Sequence, residues 1–338
     1  MKDLITIGIP IYNVEKYVKN SLLSALNQTY DNIEYIIVDD KGSDSSMDIV
    51  NSIIAGHPRE KEVRIIEHTH NIGLGAGRNT TVEFATGKYI FFMDSDDEIT
   101  PNCITILYEK MKEKPVDFVA ASIDTRNRNG TSIEQLIHQD LLISNNKDIV
   151  HNFYRNKKRK VTVWNKLYDL SFLRNNNIKC CPTHLNEDNL FTFQVILNAQ
   201  LCRYISAITY YYYDTPDSIV KVASNHKISN KFAQQYVECI DFKKKYIQYY
   251  SDLTIKEPVY RYIIFQTIHY VTLIQKSSIL KNKEKQGYIN KLIRFPFDIT
   301  EAKQLKNKSF FYIMYIIYIA PFSLFIFKLI RSISNIIK

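Results

Sequence analysis

Through its N-terminal third the chain alternates short apolar runs with amphipathic stretches of helical period, and few folds admit that alternation. Residues 4–9 read as a buried strand. Residues 15–26 read as a helix with Tyr17, Val18, Leu22, Ala25 and Leu26 on one face and Asn13 as its cap. Residues 34–38, 63–67 and 88–93 read as further strands. The helices between them are 45–55, with Asp44 as N-cap and Ile49, Val50, Ile53 and Ile54 inward, and 75–85. Strands alternating with helices predict an α/β fold: a Rossmann-like, mostly parallel central sheet with helices on both faces.

Each strand is followed by an unusual polar turn: Pro10-Ile11-Tyr12-Asn13, then Asp39-Asp40-Lys41-Gly42-Ser43-Asp44, then residues 71–79, then Asp94-Ser95-Asp96-Asp97. The carboxyl ends of parallel strands are where open α/β sheets bind ligands, and four solvated turns would not need such sequences. Asp94, Asp96 and Asp97 crowd the end of an apolar run, where each carboxylate loses hydration and repels its neighbours. Something positive is needed there. Hard oxygen donors point to Mg²⁺ or Mn²⁺ rather than zinc, and a divalent cation on an Asp-x-Asp turn is a device for gripping a diphosphate. The plainer alternative is a solvated turn in which Asp97 caps the next helix. A second acidic pair, Glu187-Asp188, follows Asn186, which can itself cap a helix.

With 338 residues there is room for two domains, or one large domain with an extension. The net charge of +9 points to an anionic partner: a membrane surface, nucleic acid or a phosphorylated substrate. The cysteines (Cys103, Cys180, Cys181, Cys202, Cys239) are odd in number and form no C-x-x-C pair, as expected of reduced intracellular thiols. Cys180, Cys181 and His184 lack a fourth ligand for zinc. No signal peptide is recognisable. The middle of the chain is less regular, with a polar insertion at 126–140, a basic run at 155–160 and the only tryptophan, Trp164. From about residue 226 the pattern turns helical. Residues 310–327 are uncharged and aromatic, flanked by Lys306, Lys308, Lys328 and Arg331; a short span, an interfacial helix, a hairpin about Pro321 and a buried core helix all remain open.

The motifs GIPIYN (8–13), VDDKGSDSS (38–46), NIGLGAGRN (71–79), FFMDSDD (91–97), VWNKLY (163–168), NED (186–188) and YYYYDTPDSI (210–219), in this order and spacing, resemble the family 2 glycosyltransferases of bacterial polysaccharide type, which have the GT-A fold. The resemblance covers roughly residues 4–225. One departure is Lys41, an extra residue where the family usually has Asp-Asp-Gly-Ser. The resemblance implies a GT-A catalytic domain over 1–225, its nucleotide-binding part at about 1–115 and its acceptor part at about 116–225. A helical C-terminal region, 226–338, would carry the membrane-associating segment 310–327.

It further implies a nucleotide-sugar site of Pro10, Tyr12, Asn13, Asp40, Asn71, Gly73, Arg78, Asp94, Ser95 and Lys166. Pro10 and Tyr12 would line the base pocket, and Asp40 would accept an imide N–H, which uracil, thymine and guanine offer and cytosine does not. Asp94, Asp96 and Asp97 would hold Mn²⁺ or Mg²⁺; Arg78 would reach the diphosphate or these acids. Glu187 and Asp188 would sit beside the anomeric carbon with Asp188 as base; one displacement means inversion. Trp164 with Lys166, and His226, are further candidates near the acceptor or diphosphate; for the first two, a packed Trp and a surface Lys is the plain alternative. The implied enzyme is a hexosyl- or N-acetylhexosaminyltransferase using a nucleoside-diphosphate sugar, UDP-sugar favoured. Its acceptor would be a glycan or polyprenyl-linked glycan in surface polysaccharide synthesis, at the cytoplasmic face of the inner membrane.

Three rivals remain. A dinucleotide-dependent oxidoreductase would use Gly73-x-Gly75, but Arg78 stands where the third glycine belongs. A non-catalytic carbohydrate- or membrane-binding protein leaves the acidic turn unexplained. A nucleic-acid binder could use Lys157 to Lys160, but the acidic turn would repel phosphate, and no nucleic acid is expected.

Overall fold

The computed structural model describes residues 2–156, 158–182, 186–214, 227–293, 301, 304–307 and 309. It divides into two compact units, Met1–Pro216 and Asp217–Lys338. The first unit holds one mixed sheet. Its parallel heart is β1 (Ile5–Ile11) between β2 (Ile33–Asp39) and β4 (Tyr89–Phe92), with β3 (Val63–Glu67) parallel to β2 at the edge. Every residue of β1, β2 and β4 is buried, which is why these strands read as unbroken apolar runs rather than as alternations. Helices α1 (Val18–Leu26), α2 (Ser46–Ile54) and α3 (Leu74–Phe84) connect them.

Beyond β4 the chain leaves simple alternation. Strands β5 (Glu98–Ile99), β6 (Phe118–Arg126), β7 (Ser132–Leu136), β8 (Leu141–Ser144), β9 (Lys166–Asp169) and β10 (Leu201–Tyr213) complete the order β3-β2-β1-β4-β9-β6-β10-β5, with β7 on β6 and β8 on β10. β9 runs antiparallel between β4 and β6, while β10 is parallel to β6. Because β9 is reversed, its start at Lys166 lies level with the end of β4, and the ends of β6 and β10 project beyond it. Helices α4 (Cys103–Glu113), α5 (Asn146–Arg155), α6 (Leu170–Asn175) and α7 (Glu187–Asn198) complete the unit. The expected α/β fold is therefore present, with the helical region after it.

Three capping readings are corrected. α1 begins at Val18 with Tyr17 at its cap position, not at residue 15 under Asn13. Asn13 has a left-handed φ of 50°, and its Oδ1 accepts from the backbone N of Ser43 instead, tying the first polar turn to the second. α2 begins at Ser46 with Ser45 at the cap position; Asp44 sits one residue further out and takes the Ser46 N–H and hydroxyl. Asp97 does not cap the next helix, which starts at Cys103 under Asn102.

In the second unit, helices Asn230–Ile247, Leu253–Lys276 and Asn282–Leu292 pack through aromatic pairs such as Tyr236 on Tyr270, with ring centroids 4.1 Å apart. No helix among the described residues is long and apolar enough to cross a membrane. Segment 310–327, His184 and His226 lie outside the described residues.

Candidate active site

The site is organised around one arginine. Arg78, in the first turns of α3, is only 1% exposed. Its Nη2 lies 2.7 Å from Asp94 Oδ1, and its Nη1 lies 2.5 Å from Asp188 Oδ1 and 3.0 Å from Glu187 Oε1. The two acidic clusters are thus one cluster, joined through a cation from a third element. Arg78 thus lies against the acids, buried rather than on an exposed helix face. Burial works against the guanidinium charge, but Asp188, Asp94 and Glu187 outweigh it and raise its pKa well above the ordinary value. On the acid side, burial raises Asp94 to about 6 against the pull of Arg78, with Asp188 and Asp96 adding to the rise. Burial, reinforced by Asp188, raises Glu187 to about 8.

The rest of the acidic turn is also tied down. Arg128, just past β6, donates to the carbonyl of Asp96 at 2.8 Å, pairs with Asp96 Oδ2 at 3.3 Å, and lies 3.8 Å from the Tyr17 ring centroid. Burial raises the Asp96 carboxyl, with Arg128 opposing. Asp97 faces away into β10: its Oδ2 accepts from Tyr210 Oη at 3.0 Å and its Oδ1 from the backbone N of Tyr213 at 2.9 Å. Burial raises it well above the ordinary range, so it holds the turn to β10 as a buried acid. The Tyr210 hydroxyl in turn accepts from the backbone N of Asp94. Ser95 between them is buried.

At the other end of the sheet rim, Asp40 is saturated. Its Oδ1 accepts from His68 Nδ1 at 2.7 Å and the backbone N of Ile72 at 2.9 Å; its Oδ2 accepts from Asn71 Nδ2 at 3.0 Å and the backbone N of Gly73 at 2.9 Å. These donors fill the roughly four lone-pair positions a carboxylate offers. Gly73, with a φ of 94°, turns the chain into α3 in a conformation that side-chain residues rarely adopt. Pro10 is buried beneath and Tyr12 is 47% exposed beside it. The extra residue Lys41 takes a left-handed φ of 53°, and its ammonium bridges Asp39 and Glu67, so the insertion is absorbed without moving Asp40 off the strand end.

Two contacts bring the later acids to the earlier arginine. Asn79, beside Arg78 on α3, exchanges two hydrogen bonds with the backbone of Cys180, each 2.8 Å. Gly75 lies so close to the same segment that a Cβ there would be 2.4 Å from the Cys181 carbonyl oxygen. α7 then begins at Glu187 with Asn186 at its cap position, without a side-chain capping bond. Lys166 is buried, not on the surface: its Nζ donates to the Thr162 carbonyl and hydroxyl at 2.6 and 2.7 Å. Burial lowers it to about 7, with Asp188 opposing. Trp164 is packed, stacked on Tyr210 and Tyr212.

Sequence reasoning missed three members of this arrangement: His68, Arg128 and Tyr210. His68 follows the third strand directly, where a polar residue before the Asn71 turn was the available signal. Arg128 lay in what read as an irregular polar insertion, and no local pattern marks it.

The Glu187 shift sets a pH dependence. Its carboxyl rises from 4.5 to about 8 on folding, so between these values the folded chain holds a proton the unfolded chain has lost. That stabilisation is full below the ordinary glutamate value and disappears as pH rises through about 8, and Asp94 at about 6 acts with the same sign. The melting temperature is expected to fall from pH 5 to pH 8, and to fall less in Glu187→Gln. Parallel melting curves for the two proteins would contradict this assignment.

All-oxygen donors fit Mg²⁺ or Mn²⁺, and burial raises Asp94 and Asp96 against the opposing pull of Arg78 and Arg128. Among the described residues no three His, Cys, Asp or Glu side chains are grouped to hold a metal by themselves. A cation bound here would need further ligands from a substrate, as Mg²⁺ commonly takes them from phosphates.

A family model described as glycosyl transferase family 2 matches residues 6–180. Glycosyltransferase GlyA of Streptococcus pneumoniae is 29% identical over 232 residues, which are 65% of this chain and 32% of GlyA. The chain thus spans about a third of that relative. Among solved structures, TarS 1–349 of S. aureus in complex with UDP-GlcNAc gives a TM-score of 0.66 at 19% identity, covering 90% of this chain and 84% of that one. The mannosyltransferase PcManGT of Pyrobaculum calidifontis, in complex with GDP-Man and Mn²⁺, gives 0.55 at 14% identity, covering 82% and 73%. At these identities the two structures establish a shared fold.

Proposed function

The chain belongs to glycosyl transferase family 2, and we propose that it is an inverting, divalent-cation-dependent enzyme that moves a sugar from a nucleoside-diphosphate sugar, a UDP-sugar in preference, to a hydroxyl of a glycan. The observation that carries this reading is the convergence of Asp94, Glu187 and Asp188 on Arg78 at the carboxyl ends of the strands. It joins a place for a cation-bound diphosphate to a candidate base. In a dinucleotide-binding enzyme neither the acids nor the arginine at the third glycine position would have a use.

The parts fall in order along the rim. Pro10 and Tyr12 line the base, and Asp40 accepts its imide N–H by exchanging the exposed Asn71 amide for it. Asn13 and Gly73 shape the two turns on either side. Asp94 and Asp96 would hold the cation with the diphosphate, while Ser95 and Asp97 keep the turn in place. When bound, the cation neutralises the charge of the departing diphosphate. Arg78 holds Asp188 Oδ1 in register with Asp94, leaving the other Asp188 oxygen to take the proton of the attacking hydroxyl. Glu187, protonated through neutrality, keeps the pair from carrying two charges. Lys166 supports the floor of the site. Attack opposite the leaving group gives inversion, which NMR of the product tests.

UDP with Mn²⁺ is expected to raise the melting temperature of the wild type, and Asp96→Ala to abolish that rise while leaving the melting temperature of the free protein near wild type. Equal stabilisation of both proteins would overturn the reading. Docking on the cytoplasmic membrane face, next to a polyprenyl-linked acceptor, rests on residues 310–327 and the charge of +9. Flotation of the full chain with anionic liposomes tests it, and failure to float refutes it.

A further inference from the structure

Three aromatic rings run from the core to the rim beside the acidic turn. Trp164 stacks on Tyr210, with centroids 4.5 Å apart and planes 17° apart, and on Tyr212, 5.5 Å and 6°. Tyr210 and Trp164 are buried and Tyr212 is half-buried, so the stack ends at the surface in Tyr212. The stack is rigid. Tyr210 is bonded to Asp97 and to the backbone of Asp94, and the backbone of Tyr213 is bonded to Asp97. Behind Trp164, Asn165 donates to the carbonyls of Ala121 and Ser122 and accepts from Thr209. Tyr210 has two partners for its hydroxyl. Tyr212 has none among the described hydrogen bonds.

The register shows which side of the site this is. Phe91 on β4 is level with Leu167 on β9, Lys166 with Ala120 on β6, and Thr125 on β6 with Tyr212 on β10. The base pocket lies on the β1–β3 side of the acidic turn and Tyr212 lies on the opposite side, beyond β9 and β6. If the diphosphate sits at the turn, that opposite side is where the attacking molecule enters. A half-buried tyrosine with a free hydroxyl, backed by a fixed indole, offers a flat apolar face and one polar handle. A pyranose ring has the matching pair: a face of C–H groups and a rim of hydroxyls.

Resting on the proposed transferase reading, we infer that Tyr212 is the platform on which the acceptor stacks, and that the acceptor unit held there is a pyranoside, whose ring has a C–H face to lay on it, rather than an open-chain alditol phosphate.

Trp164 is the only tryptophan of the chain, so its emission reports directly on this stack. The full chain, saturated with UDP and Mn²⁺, is titrated with methyl β-glucoside, methyl β-galactoside, methyl β-N-acetylglucosaminide and ribitol 5-phosphate. At least one glycoside is expected to give a saturable change in emission and ribitol phosphate none. Tyr212→Phe should keep the response, and Tyr212→Leu should weaken glycoside binding about tenfold or more, with UDP–Mn²⁺ stabilisation unchanged. A response to ribitol phosphate alone, no response to any glycoside, or full affinity in Tyr212→Leu would each overturn the inference. Should Tyr212→Leu fail to fold, the wild-type titration decides alone. Failure of UDP with Mn²⁺ to stabilise the wild type would instead strike the transferase reading itself.

Discussion

Asp188→Asn is expected to slow sugar transfer about 10²- to 10⁴-fold, the usual loss when a positioned base is removed, while UDP with Mn²⁺ still stabilises the protein. Asparagine keeps the size of aspartate and can still accept from Arg78 Nη1, which lies 2.5 Å from Asp188 Oδ1, but it cannot take a proton. The separation between the two readouts matters. On the proposed reading donor binding depends on the Asp94–Asp96 turn and on the Asp40 loop, neither of which the substitution touches directly. Single-turnover transfer at several pH values measures the effect. A rate close to wild type would move the base elsewhere and leave Asp188 as a partner of Arg78 only.

Arg78→Met is expected to be the most destabilising single change in the catalytic unit. Removing one member of a buried ion cluster leaves the others uncompensated, which typically costs about 3–5 kcal/mol. Here three acidic side chains share the one guanidinium. Lysine is no substitute, because a single ammonium cannot place separate N–H groups on Asp94 and on the Glu187-Asp188 pair. The loss carries a pH signature. Without the arginine the folded carboxyls rise further, so the folded state holds protons the unfolded state has lost, and the missing stability grows as pH rises. Urea titrations at pH 5.5 and pH 8 should show the midpoint falling at both, and more at pH 8. A midpoint unchanged from wild type at pH 8 would mean that the cluster contributes little to folding.

The contrast between Asp97 and Asp96 illustrates how far a motif can be read. Both lie in one acidic turn, and a metal role was the natural expectation for both. Their environments divide them: Asp97 turns inward to Tyr210 and Tyr213, while Asp96 stays 35% exposed and meets Arg128. Nothing within the turn records this, because the partners come from residues 128 and 210–213. Asp40 is a similar case. A carboxylate at a strand end was legible as a ligand group, but its saturation by His68, Asn71, Ile72 and Gly73 depends on how the next strand–helix turn folds back. Lys166 read equally well as a surface lysine, and only the reversed strand β9 buries it.

The sequence by itself determined the parallel α/β half, the existence of four turns at its carboxyl rim and the pairing of acids at 94–97 and 187–188. Hydrophobic period and turn chemistry are local properties, and each segment carries its own. The tertiary structure alone decided which charges meet. Arg78 and Glu187 are 109 residues apart, and they touch because β9 is inserted antiparallel beside β4 and because Asn79 and Gly75 clasp the segment before α7. A salt bridge of that span leaves no trace in local periodicity: its geometry is set by crossovers and close backbone approach, and the stabilisation it provides exists only once the dielectric around it has become that of a protein interior.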